Sequence, residues 1–261
     1  MKLACQEGMA PGRDLREKVA NLERYGYEGI EFGGRGLAER VEEIKRATAD
    51  SPVKPSTICG GYRGVLLSPN REERELAIKD IRELLFVAAE IGAVGLIFIP
   101  LFGPPQIPDL SPYKSAVDLE KELLLELMAD LAKDAERTGT TLLLEPLNRY
   151  ETHLVRTLAH AVELASRINS PGLKIMADFF HMSIEEQDIP QSIREAGDWI
   201  YHVHLADSTR LLPGYGHTDF RAGFAALKEV GFDKYMAVEC GIPGEKEVEL
   251  PKSAAYLRRF I

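Results

Sequence analysis

The stretch YHVHLADSTR, residues 201–210, places two histidines two positions apart in an apolar run that ends in charge. Read as a strand, it turns His202 and His204 to one face, because strand side chains repeat every second residue. From the segment alone three readings stand open: a pair of metal ligands, one ligand with a supporter, or two core histidines. The choice depends on what the other strands bring to the same place.

Outward from this segment, short apolar runs alternate with longer amphipathic ones. KLACQ, GIEF, VKPSTI, VGLIFI, TLLLE, LKIMAD, YHVHLAD and YMAVEC read as strands. The segments between them, such as NREERELAIKDIRELLFVAAEIG, carry apolar residues at three- and four-residue intervals, the period of a helix. Several stop at a glycine (Gly26, Gly92, Gly139, Gly231), as helix C-termini commonly do. Eight strand–helix units in 261 residues, with no linker-like break, predict a single (β/α)8 TIM barrel, one domain over residues 1–261. A doubly wound open sheet competes, but no G-x-G-x-x-G follows the first strand to support it. Two connections are long, residues 60–69 and 100–117, and loops of that length often bind or cover.

Composition narrows the partners. The formal charge is −9, and Lys and Arg are interspersed with Glu, as in REERELAIKDIREL. Nucleic-acid affinity rests on gathered basic residues, so no nucleic-acid role is expected. No apolar window is long enough for a membrane span, and MKLACQEGMAPGRD reads as a first strand rather than a leader. Three cysteines without C-x-x-C spacing fit reduced thiols, and the expected location is cytoplasmic.

A barrel of this kind keeps its chemistry at the C-terminal ends of its strands. The last four strands end in Glu145, Asp178, His204 and Glu239. Three carboxylates and an imidazole at one rim repel one another unless a cation lies among them. The donor set suits Mn²⁺, Mg²⁺, Co²⁺ or Zn²⁺ and does not choose among them. Glu151, His181 and Arg210 follow shortly after these ends and add polar groups at the same mouth. Such a mouth suits a small polyhydroxylated or carbonyl substrate.

The segments EPLNRYET, ADFFHMSIEE, HVHLADSTRLLPGYGHTDF and VEC resemble the xylose isomerase-like sugar isomerase/epimerase superfamily, nearest its D-tagatose and D-psicose 3-epimerase group and keto-sugar-acid relatives. The resemblance is specific from about Thr141 to Cys240 and looser before that. It implies that Glu145, Asp178, His204 and Glu239 hold one divalent ion, Mn²⁺ or Co²⁺ above all, with Glu145 and Glu239 doubling as acid/base groups on opposite faces of the substrate. It also implies that Glu151, His181 and Arg210 contact the sugar, and that the protein forms a homodimer or homotetramer. On that footing His204 is the ligand and His202, one layer deeper, its supporter.

The implied activity is inversion of the carbon next to a ketone, in a free ketose or a keto-sugar acid, through a cis-enediolate. An aldose–ketose type isomerase, such as one acting on hydroxypyruvate, would keep similar ligands. A DNA-repair endonuclease on the same barrel would need more histidine ligands and a basic groove. This chain has six histidines, and His153, His160 and His217 lie in loop or helix contexts. Glu31 and Arg63 are further candidate substrate contacts, with Arg63 the group to meet a substrate carboxylate. Cys5, Arg35 and the loop from Phe102 to Tyr113 complete the N-terminal candidates for reading the far end of the substrate.

Overall fold

The structure, a computed structural model, describes residues 1–261. Eight strands close into a parallel barrel in chain order: β1 (Lys2–Gln6), β2 (Gly29–Gly33), β3 (Lys54–Cys59), β4 (Gly95–Phe98), β5 (Thr141–Leu144), β6 (Leu173–Asp178), β7 (Ile200–Leu205) and β8 (Tyr235–Val238). Each segment read as a strand is one. The helices are α1 (Leu15–Tyr25), α2 (Val41–Thr48), α3 (Arg71–Ile91), α4 (Ala116–Thr138), α5 (Leu158–Ile168), α6 (Phe179–Glu185), α7 (Ile189–Ala196), α8 (Phe220–Glu229) and α9 (Lys246–Arg258). This is the expected (β/α)8 barrel, with the short α6 inserted between β6 and α7.

Local chemistry fixes the helix boundaries. Asp14, Asn70, Ser115, Thr157, Asp188 and Asp219 each accept a first-turn backbone N–H through the side chain, meeting donors that a helix N-terminus leaves unpaired. Gly26, Gly92 and Gly139 close α1, α3 and α4 in the left-handed conformation, with φ of 87°, 75° and 69°. Gly231 falls one residue later than expected, because Val230 caps α8.

Alternation along each strand sorts the core from the site. Leu142 and Leu144, Ile175 and Ala177, Val203 and Leu205, and Met236 and Val238 face outward into the apolar shell beneath the helices. The opposite parity faces into the barrel: Ile97, Leu143 and Met176 form a small separate apolar plug. Two residues further along, the same parity delivers Glu145 and Asp178. In β7 it delivers both His202 and His204, and in β8 it delivers Glu239. No helix is long and apolar enough to cross a membrane.

Candidate active site

One carboxylate oxygen from each of Glu145, Asp178 and Glu239 and a ring nitrogen of His204 all lie within 4.8 Å of one another. Glu145, Asp178 and His204 are almost wholly buried, while Glu239 keeps a partly open side. Barrel register accounts for the meeting, since Asp178 pairs with His204 and His204 with Ala237, two residues before Glu239.

The histidine is aimed from below. His204 Nε2 lies 3.0 and 3.2 Å from the two carboxylate oxygens of Glu31, so it is the nitrogen that donates. Nδ1 is buried and has no hydrogen-bond partner. It faces oxygens of Glu239, Glu145 and Asp178 at 3.0, 3.7 and 3.9 Å. Burial opposes a charge on this ring, but Glu239 and Glu31 hold its pKa well above the usual histidine range, so without an ion Nδ1 carries a proton that a divalent cation would replace. Three carboxylates around that nitrogen are the donor set of a divalent-cation site, and a carboxylate on the far ring nitrogen is the usual support of a metal-bound histidine. The four residues therefore fit the ion that their positions imply.

Glu31 is placed beneath this cluster, 1% exposed, rather than at its open side. Besides His204 it meets His202 Nε2 at 2.9 Å, and it accepts hydrogen bonds from Thr57 Oγ1 at 2.5 Å and Gln6 Nε2 at 3.0 Å. Burial opposes its charge, but the two histidines and the hydrogen bonds hold its carboxyl well below the usual range. His202 touches no residue of the upper cluster except His204, edge to face at 5.2 Å between ring centres. Burial lowers its pKa.

Glu239 is held from two directions. Gln6 Nε2 donates to Oε1 at 2.8 Å, and Arg210 donates to Oε2. Arg210 also donates to Asp178 and lies over the Phe180 ring at 4.8 Å. Burial opposes ionisation of Glu239, but His204 and Arg210 outweigh it and lower the carboxyl to about 2. Glu145 behaves in the opposite way. Burial raises it to about 7, an effect that His204 offsets and the charges of Glu239 and Asp178 reinforce.

The loops after β5 and β7 complete the mouth. The Asn148 backbone N–H donates to His181 Nδ1 at 3.2 Å, which leaves the proton on Nε2, 3.6 Å from Asp178 Oδ2. Burial lowers the His181 pKa, so this ring is a neutral N–H donor. Glu151 is half-open and tied to Asn148 Nδ2 at 2.8 Å. Arg210 has φ of 56°, in a turn organised by buried Asp207, which accepts backbone N–H groups of Ser208, Gly214 and Thr218.

Arg63 is not brought to the cluster. It forms a two-pronged pair with Asp80 of α3, Nε at 2.8 Å and Nη2 at 2.9 Å, on an exposed side chain. Gln6, Thr57 and Asp207 were not among the residues expected at the site. The parity of their strands was the available signal for Gln6 and Thr57, whereas Asp207 sits in a loop with no periodicity to read.

The family described as xylose isomerase-like TIM barrel matches residues 19–260. The 3-dehydro-D-guloside 4-epimerase of Escherichia coli K12 is 32% identical over 261 residues, covering 99% of both chains. The L-ribulose 3-epimerase of Mesorhizobium japonicum is 38% identical over 258 residues, 95% of this chain and 82% of that protein. Among solved structures, the apo 3-keto-D-glucoside 4-epimerase of E. coli superposes with a TM-score of 0.91 at 31% identity over 99% of each chain. Along nearly its whole length, therefore, the chain belongs to the xylose isomerase-like TIM barrel family, and it is an isomerase-class enzyme among relatives that are epimerases of carbohydrates.

Proposed function

We propose that the protein is a divalent-metal-dependent sugar epimerase that inverts the carbon next to a ketone. The observation that carries this reading is the buried Nδ1 of His204 facing oxygens of Glu239, Glu145 and Asp178 at 3.0, 3.7 and 3.9 Å. Glu145, Asp178, His204 and Glu239 would hold the ion, with Mn²⁺ or Co²⁺ most apt and Mg²⁺ or Zn²⁺ compatible with the donors. When bound, the ion supplies positive charge to the substrate oxygens on which negative charge builds as the proton leaves.

The chain's own residues carry the proton. Glu239 and Glu145 enter from non-adjacent strands, β8 and β5, and serve as the groups on opposite faces of the carbon. One removes the proton to give the cis-enediolate, and the other returns a proton from the far side. Positioned general acids and bases of this kind contribute on the order of 10²–10⁴-fold each. His181 presents a neutral N–H, and Arg210 a guanidinium that leaves its carboxylate partners to bind substrate oxygens, with Glu151 accepting from a hydroxyl. Inversion needs both faces, whereas an aldose–ketose shift needs one, so the two facing glutamates favour epimerisation.

Incubation with ketoses and 3-keto-glycosides in D₂O, with Mn²⁺ supplied, tests this. Deuterium at the carbon next to the ketone, accompanied by the second epimer, is the expected result. Conversion of a ketose to the aldose without the epimer would establish the other activity instead.

A further inference from the structure

The loops after β3 and β4, read from the sequence as binding segments, enclose an apolar alcove of about 310 Å³ that the proton-transfer scheme does not use. Tyr62, Val65, Ile99, Pro100, Leu101 and Phe102 wall it. It starts one residue beyond the site. Gly60 follows Cys59, whose Sγ lies 3.7 Å from Glu239 Oε1, and Ile99 follows Phe98, whose carbonyl accepts the Glu145 N–H. The backbone just after Phe102 is tied to the loop after β5, because Gly103 bridges to Thr152 and its N–H bonds the Glu151 carbonyl at 2.7 Å.

Glycine builds the alcove. Gly61 and Gly64 have φ of 88° and 73°, and a Cβ on either would lie 2.4 Å from the Arg35 nitrogen or 2.2 Å from the Glu73 carbonyl. Only without side chains can the β3 loop fold down on its neighbours and leave this space open. The walls are chemically quiet. No charged side chain lines the alcove, and the Tyr62 hydroxyl is spent on the Ile99 backbone, donating to O at 2.6 Å and accepting from N at 3.1 Å. Gln106 supplies the one other polar side chain. Arg63, the cation nearest in sequence, is engaged with Asp80.

We infer that this alcove is a subsite for an uncharged, apolar substituent carried on the keto-sugar, and that the substrate is a keto-glycoside with an aryl or similarly flat aglycone. The inference rests on the epimerase reading for the orientation of the sugar, with its ketone at the acid cluster and its substituent toward β3 and β4. A sugar carboxylate has no cation to meet there, and a bare hydroxyl leaves the apolar walls uncovered. The volume accommodates a phenyl-sized group.

Titration of the Mn²⁺-supplied protein with phenyl and methyl 3-keto-D-glucosides, run beside D₂O exchange on both, tests the subsite. The phenyl glycoside should bind at least about tenfold more tightly, the scale of burying one aromatic face. Val65→Phe, which fills the alcove, and Phe102→Ala, which removes an exposed wall, should each bring the ratio of phenyl- to methyl-glycoside affinity close to one. Equal affinity for the two glycosides, or equal losses in both variants, would overturn the subsite. Phenyl preference without deuterium exchange would leave the subsite and sink the epimerase reading. Exchange on free ketoses with no glycoside binding would do the reverse.

Discussion

His204 Nε2 lies between the two oxygens of Glu31, at 3.0 and 3.2 Å, while its Nδ1 faces Glu239 Oε2 at 3.0 Å. One buried acid therefore fixes Nε2 as a donor and turns Nδ1 toward the upper carboxylates. Glu31→Gln keeps the volume but removes the charge that holds the Nε2 proton. It should weaken Mn²⁺ binding by roughly 10–100-fold, the usual effect of losing an outer partner of a ligating histidine. Calorimetric titration with Mn²⁺ checks this, and an unchanged affinity would show that Glu31 does not orient the ring.

The two histidines of β7 should separate in the same measurement. His204→Ala removes a donor and should leave no tight site. His202→Phe keeps all four donors and removes only one partner of Glu31, so it should lower affinity far less. Equal losses would mean that His202 belongs to the ligand set after all.

Proton release gives an independent check. Burial raises the Glu145 carboxyl to about 7, so without an ion it still holds part of a proton near neutrality. A cation favours the ionised form, and ion binding should release protons, with affinity rising as pH climbs through about 7. Stability of the ion-free protein should move the other way. The fold holds this proton more firmly than the unfolded chain does, so the stabilisation present below about pH 4.5 is lost as pH rises toward and through 7. Melting curves across that range, with and without Mn²⁺, should converge at low pH and diverge above neutrality.

Glu120 of α4 anchors the β4 loop beneath the alcove. Its carboxylate is fully buried, accepts the Gln106 N–H at 2.7 Å and meets His153 Nε2 at 2.6 Å, while His153 Nδ1 lies 2.8 Å from the Gly103 carbonyl. Removing a buried acceptor and leaving its donors unpaired typically costs about 1–3 kcal/mol. Glu120→Ala should lower the unfolding free energy by that order in chemical denaturation and raise KM more than it lowers kcat. A change below about 0.5 kcal/mol would contradict the anchoring role.

The barrel and the upper cluster were legible because both follow from period. Strand alternation places Glu145, Asp178, His204 and Glu239 on the inward parity at successive strand ends. The helix capped by Asp178 and the ligand role are compatible, since Oδ1 accepts the Phe180 N–H and Oδ2 faces the site. Parity turns Gln6 and Thr57 inward, but their meeting with β7 was not legible, because Gln6, Glu31 and Thr57 come from β1 to β3 and reach β7 only through closure of the barrel. The pairing of Arg63 was hidden for a related reason. Its partner Asp80 lies one helix away, on a face that sequence spacing alone cannot orient.

Solvent deuterium uptake during epimerisation tests the central claim most directly. Starting separately from each epimer of a turned-over keto-sugar in D₂O, with Mn²⁺ or Co²⁺ supplied, both epimers should acquire one deuterium at the carbon next to the ketone. A chelator should abolish uptake, and readdition of the ion should restore it. Inversion that leaves this carbon fully protonated, or uptake that proceeds undiminished after the chelator, would contradict proton exchange by Glu145 and Glu239 around a divalent ion.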